Sequence, residues 1–254
     1  MKIEGQSAIV TGGGSGLGEA VARELARQGA KVAVLDLNRE GSARVADAIG
    51  GIAAACDVSD TASVQAALDD ATAVHGVPRI VMHIAGIGGA KRVLQKDGSP
   101  APLDEFERIV RVNLVGSYNV ARLAAARIAT LPPLEDGERG VMVMTASVAA
   151  YDGQVGQEAY AASKAGVVGM TLPLARDLAQ WGIRVVTIAP GLFATPLMKQ
   201  LPEAAQESLA ASIPFPKRLG KPEEFAALAA HVVANVHLNG ETIRLDGALR
   251  MAPR

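Results

Sequence analysis

The length, composition and charge of this chain exclude several classes of protein. The chain has 254 residues, of which 49% are hydrophobic and 20% charged, a composition typical of a globular protein with a sizeable buried core. The net charge of −1 provides no basic field for nucleic acid, no apolar run reaches the roughly 18 residues that span a bilayer, and the N-terminus lacks the apolar segment of a signal peptide.

The cysteine and histidine content favours a reducing compartment and argues against a metal centre. Cys56 is the only cysteine, which excludes an internal disulfide and a cysteine-based metal cluster. The four histidines are scattered, with no pair at a ligand spacing. We therefore expect a cytoplasmic protein that binds neither a metal nor a membrane.

The N-terminal stretch alternates strand, glycine-rich turn, helix and strand. An apolar strand over Ser7–Thr11 runs into the turn Gly12–Gly18, and an amphipathic helix then ends at Gly29. The second strand, Lys31–Asp36, closes on a carboxylate. This order is the one found in dinucleotide-binding units.

The glycines and the acid in this unit predict the cofactor. Gly12, Gly16 and Gly18 allow a tight turn and close approach of a pyrophosphate to the helix N-terminus, although their spacing is G-x-x-x-G-x-G rather than G-x-G-x-x-G. Asp36 can accept hydrogen bonds from ribose hydroxyls and would repel a 2′-phosphate. We therefore predict NAD rather than NADP. Arg39 could soften this repulsion, but we expect it to be a solvated residue at the start of the next helix.

Strands and helices continue to alternate through the rest of the chain. The predicted strands and helices, in chain order, are Arg39–Ile49 (helix), Gly51–Cys56 (strand), Thr61–Val74 (helix), Arg79–Ile84 (strand), Leu103–Ala129 (helix, with a break near Gly116), Val141–Thr145 (strand), Gln157–Ala179 (helix), Ile183–Ala189 (strand), Pro222–Asn235 (helix) and Glu241–Leu245 (strand). This pattern predicts an α/β fold with one open, doubly wound parallel sheet of seven strands. We expect residues 1–254 to form a single dinucleotide-binding and catalytic domain.

Several connecting segments allow two interpretations. Asp57, after the third strand, is either an acceptor for the adenine amine or a turn aspartate. Ala85 and Gly86 are small enough for a ring and ribose to approach the backbone, and the cations of the loop Gly86–Pro102 either meet substrate phosphates or are solvated. The segment Leu197–Leu219 is either a packing helix between loops or a mobile flap over the substrate.

The strongest chemical signal is a serine, a tyrosine and a lysine around the start of a long helix. Tyr160 and Lys164 are four residues apart, so they share one helical face. A nearby ammonium favours phenolate and lowers the pKa of the tyrosine, which yields a proton donor and acceptor usable near neutral pH. Ser147 stands at the end of the apolar run VMVMTAS, just after the fifth strand, where its hydroxyl can lie beside the phenol. Asn113, inside an apolar helix, needs a hydrogen-bond partner if it is buried.

The whole chain resembles the short-chain dehydrogenase/reductase family. The matching motifs are TGGGSGLG at 11–18, DV at 57–58, AG at 85–86, Asn113, Ser147, YAASK at 160–164 and PGLFAT at 190–195. The resemblance implies catalytic roles for Ser147, Tyr160 and Lys164, and a water-holding role for Asn113 in the proton relay. One departure is His83, since the family often carries Asn-Asn-Ala-Gly where this chain has His-Ile-Ala-Gly.

Longer stretches, among them IRVVTIAPGLFATPL and LNGETIRLDGALRM, are similar to the type 2 3-hydroxyacyl-CoA dehydrogenase subfamily. That resemblance implies NAD-dependent oxidation of 3-hydroxyacyl-CoA and a homotetramer formed through the long helices. It also implies that Gln154 faces the substrate together with Ser147 and Tyr160. The cofactor-binding set predicted from the motifs and from this resemblance is Gly12, Ser15, Gly16, Leu17, Gly18, Asp36, Asp57, Val58, Ile84, Ala85, Gly86, Tyr160, Lys164, Pro190, Gly191, Phe193 and Thr195.

Two other functions compete with this interpretation. One is a short-chain reductase or dehydrogenase for acyl-carrier-protein, steroid or sugar substrates, and NADPH preference would favour its acyl-carrier form. The other is a non-catalytic NAD-binding sensor or scaffold, which would not need Ser147, Tyr160, Lys164 and Asn113 together.

Overall fold

Seven parallel strands form the centre of the computed structural model, which describes residues 1–199 and 202–253. The sheet has the order β3-β2-β1-β4-β5-β6-β7, and every strand pair is parallel. The strands are β1 (Ser7–Thr11), β2 (Lys31–Asp36), β3 (Ile52–Ala55), β4 (Ile80–His83), β5 (Gly140–Thr145), β6 (Ile183–Pro190) and β7 (Thr242–Leu245). This confirms the predicted sheet, with strand ends that differ from the predicted ones by one residue at most.

Helices connect the strands and cover both faces of the sheet. The α-helices are α1 (Gly16–Arg27), α2 (Arg39–Ile49), α3 (Thr61–His75), α4 (Leu103–Val110), α5 (Gly116–Ile128), α6 (Glu158–Leu178), α7 (Pro196–Lys199), α8 (Glu203–Ala211) and α9 (Pro222–Ala234). Short 3₁₀ turns cover Glu135–Gly137, Val148–Ala150 and Ala179–Trp181. Within the described parts of the chain, none of the helices has both the length and the apolar character that crossing a bilayer requires.

The core is divided by the sheet into two layers. On one face, Leu68 of α3 and Val167 of α6 pack with Ile9 of β1. On the other face, Leu25 of α1 and Phe225 of α9 pack against the sheet. Because strand side chains alternate between faces, the strands are apolar almost throughout, as expected for a parallel sheet covered on both sides.

The sheet order places a crevice between β1 and β4. The chain winds outward from β1 in one direction through β2 and β3, and in the other through β4 to β7. In open α/β sheets ligands bind beyond the carboxyl ends of the strands at such a switch point. Thr11 and His83 are partners in the register of these two strands and stand at that edge.

Two segments differ in detail from their predictions. The predicted helix over residues 103–129 is interrupted by a π-helical turn at Arg111–Val115, immediately before Gly116. The segment from Leu197 to Leu219 contains the end of α7 and all of α8, and α8 has no buried residue. Gln200 and Leu201 lie outside the described residues. α8 lies at the surface, whereas Ile213 just after it is 3% exposed, so both interpretations of this segment stay predictions.

We predict that Gly18→Ala destabilises the protein whereas Gly169→Ala does not. A Cβ atom at Gly18 would lie 2.0 Å from the carbonyl oxygen of Gly12, so the glycine-rich turn would have to move. A Cβ atom at Gly169, inside α6, meets no atom within 4 Å and improves helix propensity by about 1 kcal/mol. Thermal unfolding measures both effects. Equal melting temperatures for the two variants would contradict this account of the turn.

Candidate active site

A cavity of about 470 Å³ opens at the switch point between β1 and β4. Its walls come from the turn after β1, the ends of β2 and β3, the residues after β4 and the start of α7. The predicted cofactor residues that line it are Gly12, Ser15, Gly16, Leu17, Gly18, Asp36, Asp57, Val58, Ile84, Ala85, Gly86 and Thr195. The structure thus brings most of the predicted set together in one place.

The glycine-rich turn leaves room for a ligand backbone. Gly12 has a φ of +66°, and a Cβ atom there would lie 2.8 Å from the backbone of Ala85. The turn leads directly into α1, whose first N–H groups have no intrahelical partners. A pyrophosphate can therefore approach the helix N-terminus without meeting a side chain, which is the arrangement that such turns provide for dinucleotides.

The far wall of the cavity carries two carboxylates. Asp36 accepts hydrogen bonds from the backbone N–H groups of Gly14 and Asn38, both at 2.9 Å, which fix its position. Asp57 accepts from the N–H and hydroxyl of Ser59, so it is a turn aspartate and a cavity residue at once. Burial, and then the charges of Asp57 and Asp36, raise the pKa of Cys56 to about 12. This end of the cavity is therefore electrostatically negative.

Ser147 and Tyr160 lie near each other at the start of α6, close enough for the serine to act on the pKa of the phenol. Ser147 lies two residues after β5, where it caps the 3₁₀ turn Val148–Ala150; it is buried and accepts a hydrogen bond from the N–H of Ala149 at 3.1 Å. Tyr160 is partly exposed. Burial raises the pKa of the Tyr160 phenol above its usual value, and Ser147 lowers it in part.

Lys164 lies one helical turn after Tyr160 and is buried. Its Nζ donates a hydrogen bond to the carbonyl oxygen of Thr145 at 2.9 Å and lies 5.9 Å from the centroid of the Tyr160 ring. Burial lowers the pKa of Lys164 to about 8. The sequence predicts a lowered Tyr160 pKa, whereas in the structure burial raises the pKa of this phenol by more than Ser147 lowers it.

Asn113 lies in the π-helical turn and is fully buried. Its Oδ1 accepts from the N–H of Ile87 at 2.8 Å, and its Nδ2 donates to the Ile87 carbonyl at 2.9 Å and to Ser163 Oγ at 3.1 Å. A Cβ atom on Gly86 would lie 3.1 Å from Asn113 Oδ1 and 3.2 Å from Lys164 Nζ. The missing side chain of Gly86 therefore lets the amide and the ammonium reach the end of the cavity.

Three predicted cofactor residues near the end of β6 have surroundings that differ from the expected ones. Of the segment 190–196, the residues that line the cavity are Thr195 and Pro196, whereas Pro190 and Gly191 lie before them at the end of β6. The ring of Phe193 packs edge-to-face on Phe225 at 6.2 Å, so it belongs to the core.

Gln154 contacts the C-terminal tail. Its amide donates to the carbonyl oxygen of Ala252 at 2.9 Å, and the N–H of Val155 donates to that of Pro253 at 3.0 Å. The amide that was expected to face the substrate thus holds the last described residues of the chain against the loop before α6.

Sequence reasoning missed several residues that build the site. Ser163 holds the Asn113 amide, and the Thr145 carbonyl holds Lys164. Thr11 and Ser117 bond the two nitrogens of His83 at 2.9 Å each, which settles how the atypical histidine is satisfied. Of these residues, Ser117 could have been found from the sequence, because it follows Asn113 by one helical turn.

Residues 6–206 match the family model described as short chain dehydrogenase. The chain belongs to the short-chain dehydrogenase family and is an oxidoreductase that uses a nicotinamide cofactor. It is 49% identical to the Homo sapiens "3-hydroxyacyl-CoA dehydrogenase type-2" over 99% of this chain and 97% of that protein. A Drosophila melanogaster protein of the same name is 48% identical over 99% and 100% of the two chains.

Comparison with solved structures finds a protein of the same name as these sequence relatives. The crystal structure of a 3-hydroxyacyl-CoA dehydrogenase type-2 from Mycobacterium avium superimposes with a TM-score of 0.93 at 49% sequence identity and covers 98% of each chain. This similarity confirms the predicted fold and the predicted family over the length of the chain.

We predict that His83 makes the protein less stable in mild acid. Burial, and then the charge of Lys164, lower the pKa of His83 from 6.5 to about 3. The unfolded chain therefore binds one more proton than the folded chain between these values, so the free energy of unfolding falls as the pH drops below 6.5. Between pH 6.5 and 4.5 this loss is on the order of 2 kcal/mol.

The variant His83→Asn removes the titrating ring and serves as the reference. Denaturant unfolding of both proteins is measured across this pH range. The difference between their free energies of unfolding reports on His83 alone, because the other groups titrate in both proteins. A stability difference that does not change with pH would contradict the buried, neutral ring.

Proposed function

We propose that this protein is an NAD-dependent dehydrogenase that interconverts 3-hydroxyacyl-CoA and 3-oxoacyl-CoA. The observation that carries the reaction type is the grouping of Ser147, Tyr160, Lys164 and Asn113 behind Gly86, the residue that lines this end of the cavity. The substrate class is taken from the names of relatives that are about half identical to the whole chain.

The proposed roles follow from the chemistry of each group. Tyr160 Oη accepts the proton of the substrate hydroxyl during oxidation and returns it during reduction. Ser147 Oγ, which lies near the Tyr160 phenol, holds the substrate oxygen. Lys164 supplies a positive charge below the phenol and would hold the nicotinamide ribose, while Asn113 fixes the backbone beside it. Bound NAD would supply the hydride acceptor, which is chemistry that the side chains lack.

NAD is proposed over NADP because of Asp36. Its carboxylate is held at the cavity wall by two backbone N–H groups, and Asp57 adds a second negative charge nearby. A 2′-phosphate at this end would meet like charges, at a cost of several kcal/mol in a partly enclosed site. Arg39 is exposed at the start of α2.

We also propose that the protein is a homotetramer. Tyr118 of α5, Leu172 of α6 and Trp181 after α6 are large hydrophobic residues that are 51%, 45% and 47% exposed. Exposed large apolar groups on two long helices and just after one of them favour an interface between copies of the chain. The cytoplasmic location and the single domain over residues 1–254 stay predictions.

The alternative functions are distinguishable in the same assays. A reductase for acyl-carrier-protein substrates would prefer NADPH, against the charge of Asp36, and a steroid or sugar dehydrogenase would leave acyl-CoA unreacted. A non-catalytic NAD-binding protein would bind NAD and oxidise no substrate. A serine and a tyrosine grouped beside a buried lysine favour catalysis.

We predict that the protein forms NADH from NAD and short or branched 3-hydroxyacyl-CoA, and that Tyr160→Phe lowers turnover at least about 100-fold. The loss follows because phenylalanine has no proton acceptor, whereas the cavity for NAD is unchanged. NADH absorbance measures turnover and calorimetry measures NAD binding. Tyr151→Phe, in the exposed turn before α6, is the control and should keep full activity. Turnover of Tyr160→Phe within tenfold of the original protein would refute the assignment.

We predict that Asp36→Asn lowers the preference for NAD over NADP at least about tenfold, because it removes a negative charge from the ribose end of the cavity. The ratio of kcat/KM values for the two cofactors is the measurement. Glu40→Gln makes the same charge change in the exposed first turn of α2 and should leave the ratio unaltered. An unchanged ratio in Asp36→Asn would contradict the role of this carboxylate.

We predict a mass in light scattering of four times the 26.1 kDa chain mass. Trp181→Glu should lower that mass, because it places a charge in the proposed apolar interface. Val74→Glu changes an exposed valine of α3 and should leave the mass intact. A monomer mass for the original protein at micromolar concentration would rule out the tetramer.

A further inference from the structure

His83 is a buried polar side chain that the proposed reaction does not use. It ends β4, lies beside Thr11 in the register of the sheet and is 1% exposed. Burial of unpaired polar atoms is costly, and both ring nitrogens are paired. Nδ1 lies 2.9 Å from Thr11 Oγ1, and Nε2 lies 2.9 Å from Ser117 Oγ.

The direction of these hydrogen bonds follows from the partners. The hydroxyl of Ser117 donates its single proton to the backbone carbonyl of Asn113 at 2.5 Å. Ser117 Oγ must therefore accept from His83, so the ring carries its proton on Nε2. Nδ1 is then an acceptor and takes the proton of the Thr11 hydroxyl. One neutral tautomer satisfies the whole chain of bonds.

One end of this chain of bonds reaches the cofactor cavity. Thr11 Oγ1 accepts from the N–H groups of Ile84 at 3.2 Å and Ala85 at 3.3 Å. Both residues line the cavity. Gly12 packs against the same backbone, since a Cβ atom there would lie 2.8 Å from Ala85 N. The hydroxyl that His83 orients therefore holds the cavity wall.

The other end reaches the π-helical turn that carries Asn113. Ser117, the second residue of α5, donates a hydrogen bond to the Asn113 carbonyl. The Asn113 side-chain amide accepts from the N–H of Ile87 and donates to the Ile87 carbonyl. The hydrogen bonds thus enclose Gly86, the residue beside which Lys164 Nζ lies. A turn with irregular hydrogen bonding is held on both sides by side chains.

We propose that His83 is a positioning residue for proton transfer: through Ser117 it fixes the turn that carries Asn113, and through Thr11 it fixes the cavity wall at Ile84 and Ala85. This inference rests on the proposed function, because it assumes that Asn113 and Lys164 act beside Tyr160. Its consequence is that His83 and Ser117 act on turnover as one unit.

A double-mutant cycle tests this coupling. His83→Phe keeps a ring and removes both hydrogen bonds, and Ser117→Ala removes the link to Asn113. Each is expected to lower kcat for 3-hydroxyacyl-CoA oxidation about tenfold, and the double variant is expected to match the single ones within twofold. His83→Gln, whose amide nitrogen replaces Nε2, should recover most of the activity. Multiplied losses in the double variant, or full kcat in Ser117→Ala, would overturn the proposal.

A matched control separates positioning from general loss of stability. Thr187→Val removes a buried hydroxyl that bonds Thr171 at 2.6 Å, away from the cavity. It should lower the melting temperature and leave kcat within twofold. If Thr187→Val lowers kcat as much as Ser117→Ala does, the positioning role is wrong. If His83→Phe does not fold, Ser117→Ala and His83→Gln still decide the result.

Hydrogen exchange distinguishes failure of this proposal from failure of the proposed function. His83→Phe and Ser117→Ala should speed amide exchange in residues 84–87 and 111–117, and Thr187→Val should not. This readout needs no substrate, so it applies even if no acyl-CoA is oxidised, a result that would refute the proposed function alone. Unchanged exchange in both variants would overturn the positioning role whatever the activity.

Discussion

The ammonium group of Lys164 is buried at the carboxyl edge of the sheet, and the surrounding elements are arranged to hold it there. Among the described residues, no carboxylate forms an ion pair with it, and its hydrogen bond goes to the Thr145 carbonyl. A buried cation without a counter-charge destabilises a fold. Burial lowers the pKa of Lys164 from 10.5 to about 8, which corresponds to a cost on the order of 3 kcal/mol at neutral pH. Strongly perturbed groups of this kind cluster at functional sites.

Much of the architecture could be predicted because it is local in sequence. Seven apolar runs, separated by segments with helical periodicity, predicted the positions of the strands, because each parallel strand is buried on both faces. The glycine-rich turn and Asp36 were predictable for a similar reason, because their spacing along one strand–helix–strand unit determines where they meet. The proximity of Tyr160 and Lys164 was predictable from the periodicity of a single helix. These features lie together in the structure, at the ends of β1 and β2 and at the start of α6.

The other features of the site depend on contacts between segments that are distant in the chain, and the spacing of residues in the sequence does not predict such contacts. Phe193 belongs to the core because Phe225 lies opposite it, and Gln154 bonds the chain near residue 252. The π-helical turn at Asn113 forms where Ile87 and Ser117 supply hydrogen bonds. Desolvation of Tyr160 reversed the pKa direction expected from its neighbour, because burial depends on the whole fold and not on one helical face.

Replacement of Lys164 by methionine, followed by two measurements on the same variant at pH 7, tests the central claim most directly. If the buried charge is kept for catalysis, Lys164→Met unfolds with an equal or larger free energy in denaturant, because a desolvated ammonium has been removed. Its turnover of 3-hydroxyacyl-CoA then falls at least about 100-fold. A variant that loses stability and keeps its turnover within tenfold would show that Lys164 is a structural residue and would contradict the account.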